Sequence, residues 1–243
     1  MMQHLVAECR LVLLILFRQP GFWVPTVLFP AMLYAFFGAQ SGGGAWAANA
    51  MASFAVYAVV GVGFFQFGVS VAQDRQNPFS TWQRSLPGHW INQWIAGIFA
   101  SLIFTILAVS MVIVTSKILT DVTLAPTAWA RLIAVCLLSA IPATTMGVAL
   151  GSVSSARAAV PVANLIFLPL AYLGGLWVPP MLMPPMIDAI SQWTPTRAMG
   201  ELGWAAVNAT AWEPRHLALL LAWTLAAAAL TWGARWRRHR ARS

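Results

Sequence analysis

Four histidines, two cysteines, six carboxylates and one cluster of serines are the side chains with most scope for chemistry here. Their spacing argues against it. His4, His89, His216 and His239 lie at the ends of apolar runs or in the basic tail, and none is paired with Cys, Asp or Glu at a metal-ligand spacing. A serine nucleophile at membrane depth needs a histidine base beside it. Ser152, Ser154 and Ser155 sit at the end of an apolar run, and no histidine lies inside one. Cys9 and Cys136 give no disulfide framework and read as free thiols in or near lipid. The phosphate-cradling pattern G-x-x-x-x-G-K-[S/T] does not occur, so the chain has no apparent means to bind ATP. Proton or sodium coupling places acids inside the membrane. Glu8, Asp74, Asp121, Asp188, Glu201 and Glu213 all fall in connections, at run ends or in the N-terminal stretch. Any energy for work must come from elsewhere.

The elements holding these residues are set by composition. The chain is 60% hydrophobic and 8% charged, where a soluble domain carries about 25% charged residues. So few charges cannot coat a water-soluble surface, and the mean hydropathy of +0.73 agrees. The solvent for most of this surface is lipid. The net charge of +8 sits mainly at run ends and in the tail, which fits topology signals and lipid headgroups rather than nucleic acid. A span needs about 20 apolar residues. Six segments qualify, at about 20–38, 51–72, 93–115, 131–151, 159–178 and 216–234. The expected fold is an all-α, polytopic membrane domain over residues 1–243.

Residues 1–18 stand apart. Leu5, Val6, Cys9, Val12, Leu13 and Leu16 recur at helical spacing, which predicts an amphipathic interfacial helix ended by Arg18-Gln19-Pro20. Glu8, Arg10 and Arg18 interrupt the stretch, so it does not read as a cleaved signal peptide. Residues 179–215 are too long and too apolar for a simple loop. Pro179, Pro180, Pro184 and Pro185 break the chain, residues 186–193 read as a short amphipathic helix before Pro195, and 198–209 as a second. Such a pair fits a re-entrant or interfacial excursion sheltered by protein. Asn164, at membrane depth, is expected to hydrogen-bond another helix.

Six spans put both termini on one side. That side holds Arg10, Arg18, Arg75, Arg84, Arg157, Arg235, Arg237, Arg238, Arg240 and Arg242, ten in all. The other side holds Lys117, Arg131, Arg197 and Arg215, four in all. Basic residues mark the cytoplasmic face, so both termini are expected inside, with 235–243 a basic cytoplasmic tail. The difference comes mainly from the five tail arginines.

The most polar connection is 74–90, from Asp74-Arg75 to Leu86-Pro87-Gly88. Phe79, Trp82 and Leu86 share one side of a short amphipathic stretch, with Gln83 and Arg84 on another. Those residues fit docking into a partner's groove and plain interfacial anchoring equally well.

An acidic residue followed by Arg after the second span, then a short helix ending in Pro, resembles the coupling segment of ABC-2 type transporter permeases. Asp74-Arg75 and Leu86-Pro87 carry that resemblance. Pro78-Phe79-Ser80 departs from it, standing where many members have a Gly-Thr-Leu-like stretch. Gly174-Gly175-Leu176-Trp177-Val178-Pro179-Pro180, Met183-Pro184 and Trp193-Thr194-Pro195 are similar to the family's external proline-rich segment. The resemblance implies a cytoplasmic ATPase partner that binds ATP and Mg, with no cofactor on this chain. It implies a second permease copy or a homologous permease beside it. It also implies export of a lipid-like, polysaccharide or drug-like cargo from a bacterial inner membrane. Under it Asp74, Arg75, Phe79, Trp82, Arg84, Leu86 and Pro87 couple to the ATPase. Pro179, Pro180, Pro184, Asp188, Trp193 and Pro195 belong to an external gate. The rival reading is a membrane-embedded scaffold without a transport cycle.

Overall fold

A computed structural model describes residues 2–76 and 89–240, and every described element is helical. The elements are α1 (Met2–Phe17), α2 (Pro20–Leu33), α3 (Gly44–Val62), α4 (His89–Thr120), α5 (Pro126–Val153), α6 (Ala159–Leu173), α7 (Pro185–Ser191), α8 (Pro195–Val207) and α9 (Pro214–Arg240). Two helices continue through wider turns. α2 runs on through a π-helical turn at Tyr34–Gly38, and α3 through one at Gly63–Val69 and a last α-helical stretch at Ser70–Asp74.

Four helices are long and apolar enough to cross a bilayer: Gly44–Asp74, Ile95–Thr120, Pro126–Val153 and Pro214–Ala234. Two shorter apolar helices, Trp23–Gly38 and Ala159–Leu173, fall on the first and fifth expected segments. In hydrocarbon a helix satisfies its own backbone, which is why apolar runs become helices here.

α3 is the centre. Of its most apolar window 83% is buried inside the protein, against 11% for α9. Its neighbours include α2, α4, α5, α6 and α8. The crossing with α5 is backbone on backbone. A Cβ on Gly147 would lie 2.1 Å from the Gly63 carbonyl oxygen, and one on Gly151 would lie 2.4 Å from that of Gly68. Only glycine allows this approach, the small-xxx-small device of membrane helices. It falls on the π-helical turn of α3, so α5 braces the one irregular stretch of the central helix.

α1 lies against α4 and α2. Leu16 is buried and Val12 and Leu13 are half-buried against the core. Val6, placed by spacing on the same face, instead points outward, as do Leu11, Leu14 and Ile15. α1 is therefore apolar on two faces, one against the bundle and one away from it.

Candidate functional site

Asp74 and Arg75 end α3. Phe79, Trp82, Arg84, Leu86 and Pro87 lie outside the described residues. Asp74 is exposed and Arg75 is half-buried. Arg75 Nη1 donates to the carbonyl oxygens of Gly151 at 2.6 Å and Ser152 at 2.5 Å, with Ser154 at 3.4 Å. Those carbonyls close α5, whose last turn carries no basic residue. A helix C-terminus holds partial negative charge and unpaired carbonyls. Arg75 supplies the cation from the neighbouring helix, so its guanidinium fastens α3 to α5 within the chain.

The other candidate segment gathers at the opposite end of α3. α6 stops at Gly174-Gly175 in a Schellman cap: Gly175 takes φ +73°, its amide donates to Tyr172, and that of Leu176 to Ala171. Pro179 leads a single 3₁₀ turn, Pro180–Leu182, and Pro184 precedes α7. Thr194 caps α8 by accepting the Arg197 amide, with Pro195 at the first helical position.

Arg197 is the hub. It is 8% exposed. Its guanidinium donates to Asp188, Glu201 and Ser191, each at 2.8 Å. The hydrogen bond from Arg197 is the largest cause holding the Asp188 carboxyl below the usual range, with the guanidinium charge adding to it against partial burial. Arg197 also lies over the Trp204 ring, 5.8 Å from its centroid. Trp204 Nε1 in turn donates to Ser53 Oγ on α3 at 2.8 Å. Asn208 Nδ2 donates to Asn49 Oδ1, also on α3, at 2.8 Å.

Trp193 is exposed. Its carbonyl accepts Trp223 Nε1 at 2.9 Å, and Arg215 lies 5.4 Å over its ring. Pro195, the first residue of α8, is buried. Of the expected segment, Asp188 is thus in the ion network, Trp193 is tied to α9, and the prolines shape the chain.

Asn164, expected to bond another helix, meets its own helix within this chain. Its amide donates to the Val160 carbonyl of its own helix at 3.2 Å, and no interhelical partner for it occurs among the described residues. A full turn back along a helix, the carbonyl at i−4 is within reach of a short amide.

Sequence reasoning counted Arg197 only as a topology charge. The i,i+4 spacing of Arg197 and Glu201, with Asp188 nine residues earlier in an apolar stretch, was the available signal. Ser53, Asn49 and Trp204 gave none.

The family model for ABC-2 type transporters matches residues 6–205. YvfS of Bacillus subtilis (strain 168), provisionally described as a transport permease, is 25% identical over 184 residues, which is 74% of each chain. No solved structure matches.

Proposed function

This chain belongs to the ABC-2 type transporter family, and from that membership we propose that it is the membrane half of an ATP-driven exporter whose ATP and Mg sit on a separate cytoplasmic ATPase. Residues 74–90 are the segment the ATPase pushes. What carries this reading is the place of Asp74 and Arg75, at the end of the most buried helix and at the start of that segment. A push there enters the centre of the bundle. Arg75 shares it with α5, and Asp74, Phe79, Trp82, Arg84, Leu86 and Pro87 form the contact. The four long helices and the two shorter apolar ones cross a bacterial inner membrane with both termini in the cytoplasm. The segment with Pro179, Pro180, Pro184, Asp188, Trp193 and Pro195 closes the outer side. The cargo is amphipathic, lipid-linked, polysaccharide or drug-like, in keeping with spans that carry almost no charge.

A second permease works beside this one. Helix α6 supports a place for it. Ala159–Leu173 holds 15 residues, rising about 22 Å against a hydrocarbon core of about 30 Å. Facing lipid, it would be mismatched. Both α2 and α6 contain interior prolines and leave apolar side chains uncovered, among them Phe36, Phe37 and Leu165. A second copy seated on these faces covers them and relieves the mismatch at α6.

Affinity purification from native membranes, with mass spectrometry, tests the reading. The expected result is a co-purifying ATPase with a Walker A motif. Trp82→Ala should lower its recovery, since truncating a buried aromatic anchor costs about 2 kcal/mol or more, roughly thirtyfold in affinity. No ATPase, or recovery independent of residues 79–87, refutes the coupling reading and leaves the scaffold.

A further inference from the structure

The helix that ends at the coupling segment also carries the residues that seat α8. Asn49, Ala52, Ser53 and Val56 recur at i, i+3, i+4 and i+7, so they share one face of α3. Trp204 and Asn208 hydrogen-bond to Ser53 and Asn49, and a Cβ on Gly203 would sit 3.5 Å from Val56 and 3.6 Å from Ala52. α8 therefore lies directly on that face.

Trp204 is the junction. Its ring edge lies close against Gly175 and Gly200, where an added Cβ would meet it at 3.0 and 3.2 Å. Arg197 covers the ring and reaches Asp188 and Ser191 on α7. A continuous run of contacts thus leads from α7 through Arg197 and Trp204 to Ser53. From Asn49 to Asp74 the central helix then rises about 38 Å, comparable with the thickness of a bilayer. Its π-helical turn is braced by Gly147 and Gly151 of α5, and its end is fastened to α5 by Arg75. α8 has one side-chain bond to α6 as well, Thr196 Oγ1 to the Leu170 carbonyl at 2.5 Å.

We propose that Trp204 and Ser53, with Asn208 and Asn49, form a latch that makes α7 and α8 follow α3, so that displacement of the 74–90 segment is delivered to the opposite face of the membrane. Trp204 is a positioning residue: it touches neither cargo nor ATPase and acts through α3. The inference rests on the reading of 74–90 as the coupling segment. Physical coupling over this distance needs an element that both ends bias, and α3 is the helix that meets both.

The test uses the permease in complex with its co-purified ATPase, in lipid nanodiscs. Cys9→Ala and Cys136→Ala clear the background, and Met186→Cys on the exposed face of α7 provides a label site (Met186 is 77% exposed). A membrane-impermeant maleimide reads its labelling rate without nucleotide and with ATP plus vanadate. The rate should change at least threefold between the two states in this background. Trp204→Phe keeps the ring and removes the donor; Ser53→Ala paired with Asn49→Ala removes both acceptors. Each should cut that change by more than half, with ATPase recovery and thermal midpoint held. Thr196→Val, which frees α8 from α6, should keep it. An unchanged response in both latch variants overturns the latch and leaves the coupling reading standing. A background that binds the ATPase but shows no nucleotide response overturns both.

Discussion

Replacing Arg75 with alanine should loosen the end of α5 rather than merely remove a contact to another protein. The side chain makes two short bonds to α5 carbonyls, at 2.6 and 2.5 Å, and a longer one at 3.4 Å. A hydrogen bond from a charged donor contributes about 1.5–3 kcal/mol net. A cation at a partly buried helix C-terminus contributes up to about 2 kcal/mol. The two overlap, because the same carbonyls carry the dipole, so the sum is taken as about 2–4 kcal/mol. That corresponds to a roughly 30- to 800-fold rise in opening of the terminal turn. Lysine restores the charge but not the fork, and should recover about half of the free energy. Hydrogen exchange of peptides spanning 147–158, in detergent or nanodiscs, reads this directly. Exchange there should accelerate by one to three decades in Arg75→Ala, and less in Arg75→Lys. If it stays within threefold of wild type while ATPase recovery collapses, Arg75 faces the ATPase and its bonds to α5 carry no weight.

Gly147→Ala should be poorly tolerated, because its Cβ would fall 2.1 Å from the Gly63 carbonyl. Parting the two backbones costs about 1–3 kcal/mol or more, visible as a lower thermal midpoint, whereas Gly233→Ala, which meets nothing within 4 Å, should be silent. The Asp188–Arg197 pair should survive mild acid. Its folded pKa is depressed, so its stabilisation is present above the unfolded value of about 3.9 and is lost only as pH falls through the lower folded value. Labelling of Met186→Cys, divided by that of a free thiol at the same pH to remove the thiolate titration, should therefore be constant from about pH 5 to 8, and a step in that ratio would show the pair is not closed. Leu165→Cys, on the open face of α6 (Leu165 is 74% exposed), should form a disulfide between copies on mild oxidation; exclusively monomeric product would remove α6 from the permease–permease interface.

The helices were legible because lipid makes a simple demand. Apolar runs of the right length have one way to satisfy their backbone, and the pattern marks them within a few residues. The break at Thr194-Pro195 was legible for the same local reason, since it is cap chemistry readable without knowing what surrounds it. Gly174-Gly175 carries a similar cap signal, yet the apolar run carried the expected fifth span through it to 178, whereas the helix ends at Leu173. The partners were not legible. Arg75 finds carbonyls 76 and 77 residues away, and Trp204 finds a hydroxyl 151 residues away. Nothing in local spacing separates Ser53 from the other small residues of α3. Asn164 at membrane depth suggested a partner on another helix; within this chain its own helix offers a carbonyl one turn back.

Charge placement gains meaning once those partners are known. Counting basic residues treats every arginine alike, but their surroundings differ. At the α8 end, Lys117, Arg131, Arg197 and Arg215 each lie within 6 Å of an indole centroid, over Trp129, Trp212, Trp204 and Trp193 respectively. Arg131 also donates to the Thr210 carbonyl. Arg197 is buried and Arg131 half-buried, whereas Lys117 and Arg215 stay exposed, so only the contacts of the first two lie at partly dry sites, where each is worth about 0.5–2 kcal/mol. At the other end Arg10 on α1 and Arg18 just beyond it are exposed, Arg75 is held by α5 carbonyls, and Arg240 of the tail lies 3.8 Å over the Trp236 ring. Indole contacts therefore occur at both ends and do not by themselves separate them. Neutralising the tail arginines should disturb orientation more than folding. Removing Trp212 should do the reverse, since it uncovers the half-buried Arg131.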